Sequence, residues 1–233
     1  MNVLCLSDLH GQLPDPRTLP PSDVVIISGD VCPDTQYTWR ATVSGIAGVA
    51  EACARLQAHW LSSVFAAWAR LVDRPIIMTW GNHDFIGDCP VPYGVPDNVH
   101  ILTEAFPRYE HGGEVFYALP HCDLPRWAMY RSPETFRDAI EDIPEDVTIL
   151  ITHRPPAVVG SAQVPIVGGE AEDLGSLTLY TKTRELPHLK LHVFGHIHFG
   201  RGVVVQDSVT YVNAAYLNED YQPWGDAPFI IEV

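Results

Sequence analysis

The sequence predicts an α/β fold with parallel strands, and three observations carry this prediction. Short apolar runs of strand length recur along the chain, and a long helical segment and proline-rich connections separate them. Several of the runs contain no charged residue, which is typical of parallel strands that are buried on both faces. Each of these runs is followed by polar residues with metal-binding side chains. Ligands bind at this carboxyl end of the strands in α/β sheets, so we expect the functional site there.

The first two predicted strands are each followed by an aspartate. Residues 2–7 are mostly apolar and precede Asp8-Leu9-His10-Gly11, and residues 24–28 precede Gly29-Asp30. The prolines between the two strands disfavour a helix in the connection. An aspartate after a glycine is, on its own, more often a turn residue than a ligand. Because four other predicted strands also end at metal-binding residue types, we interpret Asp30 as the residue that holds two metal ions together.

Residues 44–71 predict one long amphipathic helix. Apolar residues recur there every three or four positions, with charged residues between them. The predicted buried stripe comprises Ile46, Val49, Cys53, Leu56, Trp60, Val64, Ala67 and Leu71. We assign Trp60 and Trp68 to core packing rather than to a cofactor or base-stacking site. Residues 75–79 return to a buried strand, so the second and third strands should pair in parallel through a right-handed crossover.

The second half of the chain predicts further strands, two short helices and one long loop. Strands at 147–152 and 189–194 end at His153 and at Gly195-His196-Ile197-His198. Helices are predicted from the Ser132 N-cap to about residue 141 and over residues 177–184. The other predicted strands are 99–102, 105–109, 114–119, 203–206, 209–213 and 229–233. Residues 154–175 are too long and too rich in proline and glycine for an ordinary connection, and we interpret them as a functional or lid loop.

Composition narrows the classes of function. The 233 residues are 46% hydrophobic, enough for one sizeable core, and we predict a single domain spanning residues 1–233. With 14 basic and 29 acidic side chains the net charge is -15, which argues against a broad nucleic-acid-binding or anionic-membrane-binding surface. Five cysteines without Cys-x-x-Cys spacing, no signal peptide and no membrane-spanning run predict a reduced, cytoplasmic setting.

Seven residues at or just past predicted strand ends carry donor atoms for first-row divalent ions: Asp8, His10, Asp30, Asn82, His153, His196 and His198. Each has an ordinary explanation when taken alone, such as a turn or a helix cap. The carboxyl ends of parallel strands converge, so residues far apart in sequence can share one site. Imidazole together with carboxylate suits zinc, iron or manganese rather than calcium. The set therefore predicts a metal centre.

Five motifs follow one another along the chain. They are Asp8-x-His10, Gly29-Asp30, Gly81-Asn82-His83-Asp84, a lone His153 after a strand, and Gly195-His196-x-His198. In this order they resemble the calcineurin-like metallophosphoesterase superfamily, and residues 190–198 and 209–214 are similar to the MPPED group of metallophosphodiesterases within it. The resemblance implies a four-layer α/β (α+β) fold, in which a central β-sandwich is flanked by helices and a dinuclear metal site lies at the strand C-terminal ends.

The resemblance also implies a role for each candidate site residue. One divalent ion would be held by Asp8, His10 and His198, the other by Asn82, His153 and His196, with Asp30 as the bridge. His83 would assist the leaving oxygen as a general acid or hydrogen-bond donor, oriented by Asp84. We expect two divalent cations, manganese in vitro, with iron, zinc or magnesium as alternatives. Arg154 replaces the glycine that is usual in the MPPED group, and it either clamps a substrate phosphate or is a solvated arginine.

The leading functional hypothesis is a metal-dependent phosphodiesterase. It would hydrolyse a small, (cyclic-)nucleotide-like phosphate ester by attack of a hydroxide that the metals activate. Two alternatives stay open: a phosphomonoesterase of the same fold, and a non-catalytic binding or scaffold module that retains the fold. The large Ser/Thr protein phosphatases have arginines where this chain has Trp80 and the segment after Asp30, which counts against a protein substrate. The expected partner is a small-molecule phosphate ester, with no broad nucleic-acid surface and no membrane.

Overall fold

Two β-sheets pack face to face in the computed structural model, which describes residues 1–44, 48–89, 93–157, 159, 163–164 and 172–233. The first sheet has the order β13-β1-β2-β3-β4, from β1 (Asn2–Leu6), β2 (Val24–Ser28), β3 (Ile76–Thr79), β4 (Val99–Ile101) and β13 (Phe229–Glu232). The second has the order β11-β12-β10-β7-β6-β5, from β5 (Arg108–His111), β6 (Glu114–Leu119), β7 (Ile149–Thr152), β10 (Leu191–Phe194), β11 (Gly202–Gln206) and β12 (Val209–Asn213). A separate hairpin pairs β8 (Gln163–Val164) with β9 (Glu172–Asp173).

Parallel pairing dominates both sheets, as the apolar runs predict. Strands β1 to β4 are parallel to one another, and so are β6, β7, β10 and β12. The antiparallel strands β13, β5 and β11 lie at sheet edges. Every residue of β2, β3, β7 and β10 is buried. Strands that are covered on both faces read as continuous apolar runs because neither face meets water.

Helices cover the outer face of each sheet. On the first sheet lie α1 (Thr38–Ser44), α2 (Val49–Trp60) and α3 (Ala66–Val72), and on the second lie α4 (Pro133–Glu141) and α5 (Leu177–Glu185). Alternate residues of β1 show the layering, because Val3 and Cys5 face the core between the sheets while Leu4 and Leu6 face the helices. The predicted four-layer arrangement with a central β-sandwich is therefore confirmed.

The helical segment before β3 differs from its prediction. A π-helical turn, Leu61–Phe65, separates α2 from α3, so the segment is not one regular helix. The predicted buried stripe is wrong in part, since Leu56, Val64 and Leu71 are 46%, 51% and 70% exposed. Cys53 is buried as predicted, and the other buried residues of the segment are Ala54, Gln57, Leu61, Phe65, Ala66, Trp68, Ala69 and Val72. Ile46 lies outside the described residues.

The buried stripe was misplaced for a physical reason. The observed stripe includes Gln57, because the Gln57 side chain donates to the His83 carbonyl and accepts from the Ile86 amide, at 2.8 and 3.0 Å. A satisfied polar side chain can be buried at little cost, which an apolar pattern does not register. The wider π turn also shifts the phase of the residues after it. Trp68 is buried and Trp60 packs against the same core, which confirms their assignment to packing.

Residues 154–175 were interpreted as a lid loop, and much of this segment, namely residues 158, 160–162 and 165–171, lies outside the described residues. The two described ends lie side by side, since the Ser176 amide donates to the Pro155 carbonyl and the Ala157 amide to the Ser176 carbonyl. Among the residues that the structure describes, none of the helices combines the length and apolar character of a bilayer-crossing segment.

His192 is a buried histidine of β10 outside the predicted site. Its Nε2 lies 2.9 Å from the Thr152 hydroxyl, and burial lowers its pKa to about 3. The unfolded chain binds a proton at the ordinary histidine pKa, whereas the folded protein does not. Protonation therefore favours the unfolded state as the pH falls from about 6.5 towards 3, and the effect is absent above that range.

We expect His192→Leu to lose less stability on acidification than the parent protein. The difference should approach about 1.4 kcal/mol for each pH unit below about 6. Urea denaturation at a series of pH values measures the free energy of unfolding and its slope. The control is His188→Leu at an exposed position. Parallel pH slopes for the two variants would show that His192 takes up no extra proton on unfolding.

Candidate metal centre

The seven predicted ligands meet at one end of the sandwich, where strands from both sheets end. In the first sheet, β1 leads to Asp8 and His10, β2 to Asp30, and β3 to Asn82. In the second sheet, β7 leads to His153, and β10 leads to His196 and His198. Backbone hydrogen bonds join the loops, because the Asp8 amide donates to the Gly29 carbonyl and the His10 amide to the Asp30 carbonyl, at 3.1 and 2.9 Å. The sandwich thus brings together residues 188 positions apart in sequence.

The first group of donors is Asp8, His10 and His198. One ligand atom from each lies within 4.8 Å of the others, and Asp8 Oδ1 is 3.4 Å from His198 Nε2. The Asn218 carbonyl lies 2.9 Å from His198 Nδ1, so that nitrogen donates to the carbonyl and Nε2 is the nitrogen directed at the centre. The His196 amide donates to both Asp8 oxygens, at 3.1 Å. These contacts hold three donors in place for one cation.

The second group surrounds His153. Its Nε2 lies 2.9 Å from Asn82 Oδ1 and 3.2 Å from Asp30 Oδ2, and its Nδ1 lies 3.0 Å from the Ser28 carbonyl. The His196 ring centroid is 5.1 Å from that of His153. Asp30 also reaches the first group, since its Oδ2 is 3.8 Å from His10 Nε2. Asp30 therefore lies between the two groups, where the sequence predicts a bridge.

The chemistry of these donors fits divalent cations. Among the described residues, no hydrogen-bond partner meets either buried ring nitrogen of His10, and the Asp34 carboxylate 3.4 Å from Nδ1 is its nearest ionic contact, so an unbound Nε2 costs free energy. Burial would raise the pKa of Asp8, but the charge of His198 and its hydrogen bond outweigh this and lower the pKa to about 2. Burial lowers the pKa of His196 to about 3, which keeps the imidazole in the neutral form that binds metals. The site thus presents ionised carboxylates beside imidazoles.

Two motif glycines allow the ligands to approach the backbone. A Cβ at Gly195 would overlap the Ser7 hydroxyl and the Asp8 carboxylate. A Cβ at Gly81 would overlap the Asp30 carboxylate and would lie 2.5 Å from the Asp30 nitrogen. Four of the candidate ligands also adopt positive φ, which non-glycine residues rarely do: Asp8, His10, Asp30 and His196. Such backbone strain is typical of functional sites.

A family model described as calcineurin-like phosphoesterase matches residues 1–200, which is most of the chain. The chain belongs to the calcineurin-like phosphoesterase family. Its predicted family resemblance is therefore confirmed. The family implies a metal-dependent phosphoester hydrolase with two divalent ions, and the donor groups described above are the residues of this phosphoesterase that fit such ions.

This chain is similar to several known proteins over different shares of its length. A human protein named metallophosphoesterase domain-containing protein 1 is 38% identical over 91 residues, which cover 39% of this chain and 26% of the relative. The match thus spans about a quarter of that relative's length. A Caenorhabditis elegans UPF0046 protein is 27% identical over 238 residues, which cover 95% of this chain and 72% of the relative. Among solved structures, a putative 5'-nucleotidase from Staphylococcus aureus matches with a TM-score of 0.49 and 10% identity, over 100% of this chain and 54% of that chain.

The phosphoesterase places Asp34, not Asp84, against His83. Asp34 Oδ1 lies 2.7 Å from His83 Nδ1, and Asp34 Oδ2 lies 3.4 Å from His10 Nδ1. Burial alone would lower the pKa of His83, but the charges of Asp30 and Asp34 raise it. Asp34 was overlooked because its only sequence signal is a carboxylate four residues after Asp30 in a segment without a motif.

Asp84 has a different part in the structure. Its carboxylate accepts hydrogen bonds from the amides of Val31, Cys32 and Gly81, at 3.2, 2.9 and 2.9 Å. It therefore ties together the loop that follows Asp30 and the loop that carries Asn82. Burial and the charge of Asp30 raise the pKa of Asp84 to about 6. Adjacent side chains leave the backbone in different directions, so Asp84 turns inward while His83 faces Asp34.

Two further side chains border the centre. The Arg154 guanidinium donates to the Asp123 carboxylate and, at 3.1 Å, to the Leu174 carbonyl, and its side chain is only 15% exposed. Of the two alternatives for Arg154, a solvated side chain is therefore wrong. A contact between Arg154 and a substrate phosphate stays a prediction. The Tyr221 ring lies 4.7 Å from that of His10. Tyr221 follows the last predicted motif in an irregular segment, so the sequence did not identify it.

Proposed function

We propose that this phosphoesterase is a phosphodiesterase that hydrolyses a small, nucleotide-like phosphate ester. The observation that carries the proposal is the convergence of seven metal-binding side chains with His83 beside them. Two divalent cations bound there would lower the pKa of a water molecule and neutralise charge on the phosphoryl oxygens. Asp8, His10 and His198 would hold one cation, and the other would be held by Asn82, His153 and His196, with Asp30 between them.

The His83 imidazole would serve the leaving group. Asp34 engages Nδ1, which leaves Nε2 as the nitrogen that can donate a proton or a hydrogen bond to the departing oxygen. The main-chain amide of His83 also donates to Asp30 Oδ1, at 2.7 Å, so the imidazole is held beside the proposed bridging carboxylate. His83 therefore has a fixed position relative to the phosphorus-binding centre, and Asp84 holds the two loops that set this position.

Charge favours a diester over a monoester. A phosphate monoester is close to a dianion at neutral pH, whereas a diester carries one negative charge. The arginine next to the centre, Arg154, already pairs with Asp123, and the protein carries a net charge of -15. A singly charged ester is repelled less by this surrounding charge.

Several finer assignments belong to the proposal. We expect manganese to activate the enzyme in vitro, with iron, zinc or magnesium as alternatives, because availability often decides the metal in an imidazole and carboxylate site. A cytoplasmic location, a single domain over residues 1–233 and a small-molecule partner stay predictions.

An assay with matched leaving groups tests the reaction class. The purified protein, stripped with chelator and reloaded with each metal, is supplied with bis(p-nitrophenyl) phosphate or p-nitrophenyl phosphate. We expect kcat/KM to favour the diester by about tenfold or more, a difference of about 1.4 kcal/mol in the barrier. A preference for the monoester would overturn the diesterase proposal in favour of a phosphomonoesterase. Inactivity with every metal would indicate a binding or scaffold module.

A further inference from the structure

Two tryptophans lie beside His83, and they have no part in the proposed metal chemistry. The ring centroid of Trp127 is 4.4 Å from that of His83, and the ring centroid of Trp39 is 5.9 Å from it. The two indoles are 5.3 Å apart at an interplanar angle of 82°. This edge-to-face arrangement is a favourable one for aromatic rings. We call Trp39 and Trp127 the aromatic pair.

Trp39 is unusually exposed to solvent for a tryptophan. It is 53% exposed, more than any of the other five tryptophans of the chain, and Trp68 and Trp80 are buried. Exposed apolar surface of this size forgoes the stabilisation that burial would give. Exposed aromatic residues next to a reaction centre are a feature of binding surfaces, where tryptophan contributes a large contact area.

Hydrogen bonds tie the backbone around the aromatic pair to the rest of the fold. The amide of Ala128, the next residue after Trp127, donates to the Asn82 carbonyl at 3.0 Å. Next to Trp39, Thr38 is buried, and its hydroxyl accepts from the Thr35 amide at 2.9 Å. Trp127 is thereby tied to a loop of the metal centre, and Trp39 is held on the first turn of α1. A preorganised surface loses little conformational entropy when a ligand binds.

The position of the aromatic pair indicates which part of the substrate it meets. His83 would donate to the leaving oxygen, so groups attached to that oxygen lie on the His83 side of the centre. The aromatic pair borders the same imidazole. We infer that Trp39 and Trp127 form a subsite for a planar aromatic ring carried by the leaving group of the ester. The inference rests on the proposed function and deepens it by naming the chemistry of the leaving group.

A flat ring fits the aromatic pair better than a rounded cation. The two indoles meet at 82°, and Trp39, which is 53% exposed, keeps the larger solvent-accessible surface of the two. A quaternary ammonium group is usually enclosed by several aromatic faces. A nucleobase or an aryl group needs one face to stack on, and base stacking on an aromatic side chain is largely independent of the base.

Paired substrates test the subsite by kinetics. Adenosine 2',3'-cyclic phosphate and glycerol 1,2-cyclic phosphate share the five-membered cyclic diester, and only the first carries a ring. We expect Trp39→Ala and Trp127→Ala each to raise KM for the nucleotide by about tenfold, in line with the usual strength of base stacking, and to raise KM for the glycerol ester much less. Trp39→Phe keeps a ring and should restore most of the affinity. Trp224→Ala, which alters an exposed tryptophan outside the pair, is the matched control and should leave KM for both substrates unchanged.

Two further substrates distinguish a nucleobase from an aryl group as the source of the ring, and they also test for a cation site. A rise in KM for the nucleotide identifies a nucleobase, and a rise confined to bis(p-nitrophenyl) phosphate identifies an aryl group bonded directly to the oxygen. Both outcomes support the subsite. A rise confined to glycerophosphocholine would overturn the inference in favour of a cation site. Equal losses for every ester, in kcat rather than KM, would overturn it too, because the aromatic pair would then only position His83.

Binding without turnover provides a second measurement. Tryptophan fluorescence of the wild-type protein should be quenched by adenosine monophosphate and not by ribose 5-phosphate, and the quenching should be lost in Trp39→Ala. If the protein hydrolyses no ester and the nucleotide still quenches selectively, the proposed function fails and the subsite stands. If the protein hydrolyses esters and the ring changes neither KM nor fluorescence, the subsite fails and the proposed function stands.

Discussion

Asp30→Asn should release both metal ions and abolish hydrolysis. Asp30 Oδ2 lies 3.2 Å from His153 Nε2 and 3.8 Å from His10 Nε2, so one carboxylate serves both donor groups. Asparagine keeps the shape and removes the negative charge, which two divalent cations in a buried site need. Changes to residues that merely support a ligand cost about tenfold to 100-fold in metal affinity. Loss of the shared ligand should exceed that, and kcat/KM should fall by about 1,000-fold or more.

Elemental analysis of the desalted protein measures the number of metal ions per chain, and the diester assay measures the rate. Glu114→Gln is the matched control, because Glu114 is a buried acid paired with Lys190 at the amino end of β6, away from the strand ends that carry the site. It should keep both ions and full activity. The Asp30→Asn protein should stay folded, because the change removes a negative charge that repels the buried carboxylate of Asp84. Two ions bound to this variant would refute the bridging role of Asp30.

The sequence predicted which residues meet at one edge of the fold, because strand ends are a strong physical constraint. A buried strand such as β2 must turn out of the sheet at Gly29, and the next side chain is delivered to a fixed edge. The same argument holds for β7, where His153 follows at once. Burial on both faces leaves an apolar run that is easy to identify, and the polar residue after it is then easy to place. The division of the strands into two sheets came from the family resemblance, since each strand alone fits either arrangement.

The errors came from side chains whose environment is set by partners far away in sequence. Gln57 is buried because the loop at His83 satisfies both ends of its amide, and no property of the helical sequence reveals that loop. The family resemblance assigned Asp84 to His83, but the Asp84 carboxylate accepts hydrogen bonds from the amides of Val31 and Cys32. Asp34 contacts His83 across 49 positions, and a single carboxylate in a loop is too common a feature to single out.

His83→Ala should keep both metal ions and lose turnover in a manner that depends on the leaving group. Alanine retains the main-chain amide that donates to Asp30 at 2.7 Å, and no proposed ligand atom is removed. General acid assistance contributes about 100-fold to 10,000-fold, and it matters most when the departing oxygen is basic. An alkyl ester such as glycerol 1,2-cyclic phosphate should therefore slow by that amount, and bis(p-nitrophenyl) phosphate should slow much less. Equal losses for both esters would count against an acid role.

Asp34→Asn separates the observed partner of His83 from the predicted one. The variant should slow hydrolysis of the alkyl ester by about tenfold and should again spare the p-nitrophenyl ester. The reason is that the His83 imidazole loses the charge of the Asp34 carboxylate, whereas the proposed metal ligands are unchanged. Asp84→Asn should behave differently, since it weakens three amide contacts that hold the two loops. We expect it to lower thermal stability and metal content and to slow both esters alike. If the loss of rate in Asp84→Asn depended on the leaving group, it would support the prediction from the sequence that Asp84 orients His83.

The double variant His83→Ala with Asp34→Asn tests whether the two residues act as a unit. If Asp34 acts only through the imidazole, the double variant should be no slower on the alkyl ester than His83→Ala alone. If the losses multiply, Asp34 acts elsewhere, and the structure offers one route, because Asp34 Oδ2 also lies 3.4 Å from His10 Nδ1. In that case metal content should fall in Asp34→Asn, since His10 would lose the carboxylate that orients it. The metal content of this one variant therefore decides between a partner of the acid and a support for a ligand.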